Sequence, residues 1–254
     1  MLGRVSSYCI FELMIFSHKF SECCATYEFC SVHRAFGKFF PMATVNITQH
    51  YPGAADRNKE PILGVLKKFL TQDSEGNKQC LEVSSGCGFH VSYFSKHFPF
   101  VTFQPTEFET YQLPIISSFI ADCPNVLPPK YLDASQDHST WADGTIKPGS
   151  LDYVININMM HISPYPATIG LFKGCGAVLK PGGLLITYGP YADNGILTPE
   201  SNVRFNAMLK RESPDWGIRD ISLQLIPLAS THGLQLIHKE DLPANNKCLV
   251  WKKS

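Results

Sequence analysis

Hydrophobic positions follow two rhythms along this chain. Ile62, Leu63, Val65, Leu66, Phe69 and Leu70 recur at helical spacing, so one stripe of a helix is apolar. Pro61 is placed at its first turn, and Asp73-Ser74-Glu75-Gly76-Asn77 closes it. From there apolar runs of strand length alternate with helical stretches. Strands are predicted over 79–83, 100–104 and 151–157, with a short one ending at Leu132-Asp133 between the second and the fourth. The run 151–157 is nearly all apolar, as in a strand covered on both faces. A helix carrying Val91, Phe94 and Phe98 follows the first strand. Another, carrying Ile169, Phe172 and Leu179, stops at Lys180-Pro181-Gly182-Gly183 before a fifth strand over 184–188. A long insertion with its own helix starts at Thr198-Pro199-Glu200 and runs to Trp216. A last helix from about Asp220 towards Gly233 precedes two strands, 234–238 and 247–251, with no helix between them. This alternation predicts an α/β fold: a mostly parallel sheet with right-handed crossovers, helices on both faces and an antiparallel hairpin at one edge.

Residues 1–41 break the pattern. They are rich in Phe, Cys and Ser without a clean period, and the apolar patch from Tyr8 to Phe16 is interrupted by Glu12 and followed by no small-x-small cleavage site. Glu12, Glu22 and Glu28 argue against a mitochondrial transit peptide. The expected organisation is an extension over 1–41, poorly ordered, and one domain over 42–254, with Met42 a plausible alternative start.

Composition narrows the classes. A chain of 254 residues with 44% hydrophobic positions can bury one sizeable core. Twenty-two basic and 22 acidic residues cancel, so no global field draws it to nucleic acid or an anionic membrane, and no window is apolar enough to span a bilayer. Nine scattered cysteines, with Cys80, Cys87, Cys175 and Cys248 in stretches that read as element interiors, point to a reduced intracellular chain, cytoplasmic or nuclear. Cys23-Cys24 with Cys30 and His33 is a poor match to metal-ligand spacing, and no metal is expected.

The most informative stretch is Cys80-Leu81-Glu82-Val83-Ser84-Ser85-Gly86-Cys87-Gly88, where the first strand turns into a helix. Glycine there lets backbone take positive φ and approach a ligand closely. A dinucleotide fingerprint counted from Gly86 wants Gly or Ala at position 91, which is Val91. The pattern acidic-x-small-x-Gly-x-Gly is met by Glu82, Ser84, Gly86 and Gly88. It suits S-adenosylmethionine, which has no phosphate to seat on a helix start; a Gly-rich turn without a ligand is the competing reading. Gln104-Pro105-Thr106-Glu107 puts an acid about twenty residues after the loop, where a cofactor ribose lies in this topology. Its carboxylate can accept from both ribose hydroxyls; a solvated acid after a strand is the alternative. Asp133, at the end of strand three, sits where an adenine amino group is read, though Asp in a turn needs no ligand.

These residues resemble a known group. Glu82 to Gly88 with Lys180-Pro181-Gly182-Gly183 is similar to the class I methyltransferases, and the closer likeness is to the methyltransferase-like 26 family. The matching stretches include Ala55-Asp56-Arg57-Asn58-Lys59-Glu60-Pro61-Ile62-Leu63, Leu81 to Gly88, Gln104-Pro105-Thr106-Glu107, Ile157-Asn158-Met159-Met160-His161-Ile162-Ser163-Pro164, Leu185 to Tyr191, Ser201-Asn202-Val203 and Leu242 to Lys247, and they cover nearly all of the chain from residue 54 onwards. The resemblance implies a Rossmann-like class I fold of seven strands with S-adenosylmethionine in the crevice at the strand ends, and supplies no substrate. The extension before Met42 departs from the family; Glu107 stands where Asp is as common; Pro227 falls inside the last helix and should kink or shorten it.

Methyl transfer asks for an aligned acceptor and, when the acceptor must lose a proton, a base. Asn158 leaves strand four at the ligand end, followed by Met159-Met160-His161 in place of the Pro-Pro-aromatic run of planar-amine methylases, which disfavours DNA as acceptor. His161 is the candidate base, with a histidine bonded to nearby backbone as the alternative. Arg57 and Asn58 lie in a polar run just before the first helix and suit a lid over the cofactor carboxylate or the acceptor. Tyr188, Pro190 and Tyr191 line the insertion side, and Asn245 and Asn246 lie in the final hairpin. The expected function is S-adenosylmethionine-dependent methylation of a small molecule or protein side chain. Its rivals are a catalytically silent binder of the same cofactor and a nicotinamide oxidoreductase, the latter disfavoured by Val91; no G-x-S-x-G elbow supports a hydrolase.

Overall fold

The computed structural model describes residues 53–72 and 76–254, so the expectations for residues 1–41, the zinc grouping included, lie outside the described residues. Helix α1 runs Gly53–Phe69, followed by β1 (Lys78–Val83), α2 (Phe89–Ser95), β2 (Val101–Glu107), α3 (Leu113–Phe119), β3 (Lys130–Tyr131), β4 (Leu151–Ile157), α4 (Tyr165–Val178), β5 (Leu179–Ala192), α5 (Glu200–Glu212), β6 (Arg219–Asp220), α6 (Ile226–Thr231), β7 (Leu234–Leu242) and β8 (Asn246–Lys253). The sheet order is β3-β2-β1-β4-β5-β8-β7, and β6 pairs with the far end of β5. Among the described residues only β8 runs against its neighbours, so the terminal hairpin forms the predicted antiparallel edge, with β8 inside and β7 outermost. The chain steps from β1 through β2 to β3 on one side, then returns to β4 on the other. That reversal opens a crevice at the carboxyl ends of β1 and β4.

Strand alternation splits the core into two layers. Leu81, Val83, Val154, Leu185, Leu249 and Trp251 face α4 and α6. Cys80, Phe103, Tyr153, Ile155, Ile186 and Val250 face α1 to α3. Cys80, Cys123, Cys175 and Cys248 are buried, Cys87 is half-buried in the loop, and all five are free thiols. Buried Asp152 holds Lys180 at 2.8 Å and accepts from the Gln79 amide at 2.8 Å at the start of β4, on the edge opposite the crevice. Among the described residues no helix is long and apolar enough to cross a membrane.

The boundaries differ from expectation in instructive places. Helix α1 begins at Gly53, and Pro61 sits inside it. A proline there removes one backbone bond without ending the helix when the apolar stripe is packed. The stripe is packed here: Ile62, Leu63, Val65 and Leu66 are all buried. Arg57 and Asn58 are therefore on the helix rather than before it. Leu179 starts β5 rather than ending α4, and Ile169 faces solvent. Pro227 lies in the first turn of α6, which a π-helical turn over Ile221–Leu225 precedes, so the expected single helix is broken in two.

Two helical glycines give a stability test. Gly64 is exposed, and a Cβ added there would meet nothing, whereas one added at Gly170 in α4 would sit 1.9 Å from the Ala134 carbonyl oxygen. Helix propensity favours Ala by about 1 kcal/mol at both positions. Overpacking against backbone costs about 1 to 3 kcal/mol and wins at Gly170. Denaturant midpoints should therefore rise for Gly64→Ala and fall for Gly170→Ala, and equal shifts would contradict the packing of α4 on the loop after β3.

Candidate functional site

The carboxyl ends of β1, β2, β4 and β5 share one edge, because Val83 lies beside Thr106 and Asn156, and Ile157 beside Tyr188. The loop after β1 is fastened to β2: the Ser85 amide donates to the Thr106 carbonyl at 2.9 Å, and the Thr106 hydroxyl donates to the Glu82 carbonyl at 2.7 Å. Ser84, Gly86 and Gly88 all take positive φ, at 60°, 60° and 84°. The two glycines serve different ends. A Cβ on Gly86 would enter open space, whereas one on Gly88 would come within 3.0 Å of Ile116. Gly88 thus admits α3, and Gly86 faces open space among the described residues.

Glu82 and Glu107 point to the same face, by the alternation that puts Cys80 and Phe103 there. Glu107 is 5% exposed. One carboxylate oxygen accepts the Gly86 amide at 2.8 Å; the other accepts Phe108 at 2.8 Å and Glu109 at 3.3 Å. Burial raises its pKa, and these amides pull it back. A carboxylate offers about four acceptor positions, and three are in use here. Glu82 is 3% exposed, and its Oε2 has no partner among the described residues. Burial, with Glu107 adding, pushes its pKa to about 8 against a hydrogen bond from Ser85. Asn156, fully buried, donates to the Val83 carbonyl at 3.0 Å, and its Oδ1 has no partner among the described residues.

The remaining predicted residues are distributed around this crevice. Asn58 is buried on α1 with its Oδ1 2.7 Å from His90 Nε2. That oxygen can only accept, so Nε2 carries the hydrogen, and burial takes His90 down to about 4, leaving it neutral. Hydrogen bonds from Asn246 and Asn58 reach the Tyr188 hydroxyl, whose pKa burial raises to about 12. Arg57 is exposed on the same helix. Asp133 accepts from the Ser135 amide at 2.8 Å and its hydroxyl at 2.7 Å, an Asx turn complete in itself. Asn158 turns the chain at φ 59° and donates its amide to the Tyr188 carbonyl at 2.8 Å.

His161 is buried in the helical turn after β4, its ring 5.5 Å from that of Phe205 on α5. It shares a small space with Asn158: a Cβ on Gly189 would be 3.5 Å from His161 Nδ1 and 3.7 Å from Asn158 Oδ1. Burial, reinforced by Arg219, lowers His161 to about 3. The expectation of a pKa near working pH is corrected accordingly: an imidazole this hard to protonate stays neutral and can orient an acceptor by hydrogen bonding. Sequence reading did not single out His90, Ser85, Asn156 or Arg219. They are scattered over 135 positions, and only the fold assembles them.

The chain matches, over residues 49–253, the family described as "protein of unknown function (DUF938)". The chain belongs to this family. Solved structures share the fold of this DUF938 protein. A protein from Galdieria sulphuraria assigned as a sarcosine dimethylglycine methyltransferase is 16% identical, with a TM-score of 0.60 over 80% of this chain and 86% of that one. One from Nostoc punctiforme assigned as an O-methyltransferase is 13% identical with a TM-score of 0.63; the match covers 78% of this chain and 56% of that one. The geranyl diphosphate C-methyltransferase of Streptomyces coelicolor, solved with Mg2+, geranyl diphosphate and S-adenosyl-L-homocysteine, is 11% identical with a TM-score of 0.60 over 78% of this chain and 82% of that one. The DUF938 protein thus has the Rossmann-like fold of class I methyltransferases.

Proposed function

We propose that this chain is an S-adenosylmethionine-dependent methyltransferase whose acceptor is a small molecule or a protein side chain. One observation carries the reading. At the reversal of strand order, bare Gly86 backbone lies beside a buried carboxylate, Glu107, and a buried acid, Glu82, one of whose oxygens has no partner among the described residues. A nucleoside carrying ribose hydroxyls, a sulfonium and an ammonium fits that combination of open space, hydroxyl acceptor and buried acceptor. A dinucleotide would also need a bare residue where Val91 packs in the core.

Glu107 would hold the ribose while anchoring the loop through Gly86, and Glu82 would take the ammonium. Gly86, Ser84 and Gly88 shape the passage between them; Asn158 and Asn58 close its acceptor side, with Arg57 at the rim and Asp133 beyond the adenine end. When bound, S-adenosylmethionine would supply an electrophilic methyl group with a neutral thioether as its leaving group. The protein's share is to exclude water and hold an acceptor lone pair in line, and neutral His161 orients it without carrying the proton away. The stretches quoted above, from Ala55 to Lys247, support membership of the methyltransferase-like 26 family within this reading.

Tritiated S-adenosylmethionine added to protein-depleted and complete cell extracts tests the reaction. Label should pass to an acceptor with wild-type protein and not with Gly86→Ala, whose φ of 60° strains an added Cβ placed in the ligand's space. Binding of S-adenosylhomocysteine with no acceptor ever labelled would instead mark a silent cofactor-binding protein.

A further inference from the structure

Arg219 is a cation in an unusual setting. It is 6% exposed, at the start of β6 beside the carboxyl end of β5. Its Nε donates to the Thr168 hydroxyl at 3.2 Å, one Nη to the Gly217 carbonyl at 2.9 Å and the other to the Ser163 carbonyl at 2.6 Å. The Tyr165 ring lies 5.4 Å from its guanidinium carbon. Every one of these partners is neutral. No carboxylate of the described residues pairs with it, although neighbouring Asp220 is itself buried, engaged with the Gly195 and Leu223 amides. Buried guanidinium groups are normally compensated by an anion, because removing the charge from water is costly and neutral acceptors return only part of that cost. An arginine has five N–H bonds, and three are spent here, which leaves one on each Nη.

The position bears on the acceptor. Ser163 and Gly217, held together by Arg219, flank His161, whose carbonyl accepts the Gly217 amide at 3.0 Å and whose protonation Arg219 opposes. Phe205 on α5 covers the same imidazole. Arg219 thus lies among the loops after β4 and β5, beside the elements that carry His161 and Phe205.

We propose that Arg219 binds the carboxylate of a small-molecule methyl acceptor, so that the substrate of this site is an acid rather than a neutral or cationic molecule. A guanidinium can offer paired N–H groups to the two oxygens of one planar carboxylate. The anion supplies the missing counter-charge, and the rest of the acceptor is directed towards His161 and Asn158. The proposal rests on the methyl-transfer reading, and its test separates the two.

Protein saturated with S-adenosylhomocysteine is titrated, by ligand-observed NMR, with glycine, 4-aminobutyrate, benzoate and 4-hydroxybenzoate, with the primary amide of each, and with phenyl phosphate. At least one acid should bind at least tenfold more tightly than its amide. Arg219→Gln should abolish that preference and Arg219→Lys should keep part of it. Circular dichroism and S-adenosylhomocysteine affinity, unchanged in both variants, show that the fold and the cofactor seat are intact. Loss of S-adenosylhomocysteine binding by the wild type would sink the methyl-transfer reading itself. With that binding present, amides equal to acids, no acid bound at all, phenyl phosphate preferred to every acid, or an acid preference that survives Arg219→Gln would each overturn the carboxylate assignment.

Discussion

Glu107→Ala is expected to weaken S-adenosylhomocysteine binding by about two orders of magnitude in a calorimetric titration. One charge-assisted bond to a ribose hydroxyl is worth about 1.5 to 3 kcal/mol, or about ten- to a hundredfold in affinity. The same substitution also strips the Gly86, Phe108 and Glu109 amides of their acceptor, so the loop that frames the open space loses its anchor. Both effects act in the same direction. Glu107→Asp keeps the charge but shortens the reach to Gly86 by one methylene, and should fall between wild type and Ala. An Ala variant that binds as wild type does would place the ribose elsewhere.

Acid-base behaviour provides the second large effect. Glu82 ionises near 4.5 in the unfolded chain and at about 8 when folded, because burial disfavours its charge. The unfolded state therefore loses this proton first as pH rises. Stability contributed by protonated Glu82 is complete below about 4.5, declines through the interval, and is gone above about 8, a loss of at most about 5 kcal/mol. His90 and His161 act in the opposite sense. Their folded values of about 4 and about 3 lie below 6.5, so their contribution is present above 6.5 and lost as pH falls towards 3. The ligand-free protein should thus be most stable on the acid side of neutrality. Glu82→Gln should remove the decline between pH 6.5 and 8, steepen the rise between about 4.5 and 6.5, and leave the limb below about 4.5 unchanged. An ammonium placed against Glu82 favours its carboxylate, so wild-type affinity for S-adenosylhomocysteine should rise by up to tenfold per pH unit below about 8, with proton release on binding. A flat affinity profile, or an unchanged one in Glu82→Gln, would take Glu82 out of the seat.

Much of this architecture is written locally. The apolar run from Leu151 to Ile157 has one solution, a strand covered on both faces, and its limits are those read from sequence. The Gly86 loop is equally legible, because positive φ and a missing Cβ leave a mark in residue type. The start of α1 was not legible: Pro61 suggests an opening, and only the packing of Ile62 to Leu66 on the sheet carries the helix through it. His161 shows the same limit at the level of chemistry. Its identity announces a titrating base, while its pKa is set by burial and by an arginine 58 residues away in sequence. Arg219 had no local signal at all, since what distinguishes it is the set of neutral groups the fold brings around it.

The most direct measurement is a crystal structure of the protein with S-adenosylhomocysteine. The nucleoside should lie over Gly86, with a ribose hydroxyl on Glu107 and the amino group against Glu82. A ligand bound elsewhere, or side chains filling the space in front of Gly86 while the ligand stays in solution, would contradict this placement of the cofactor.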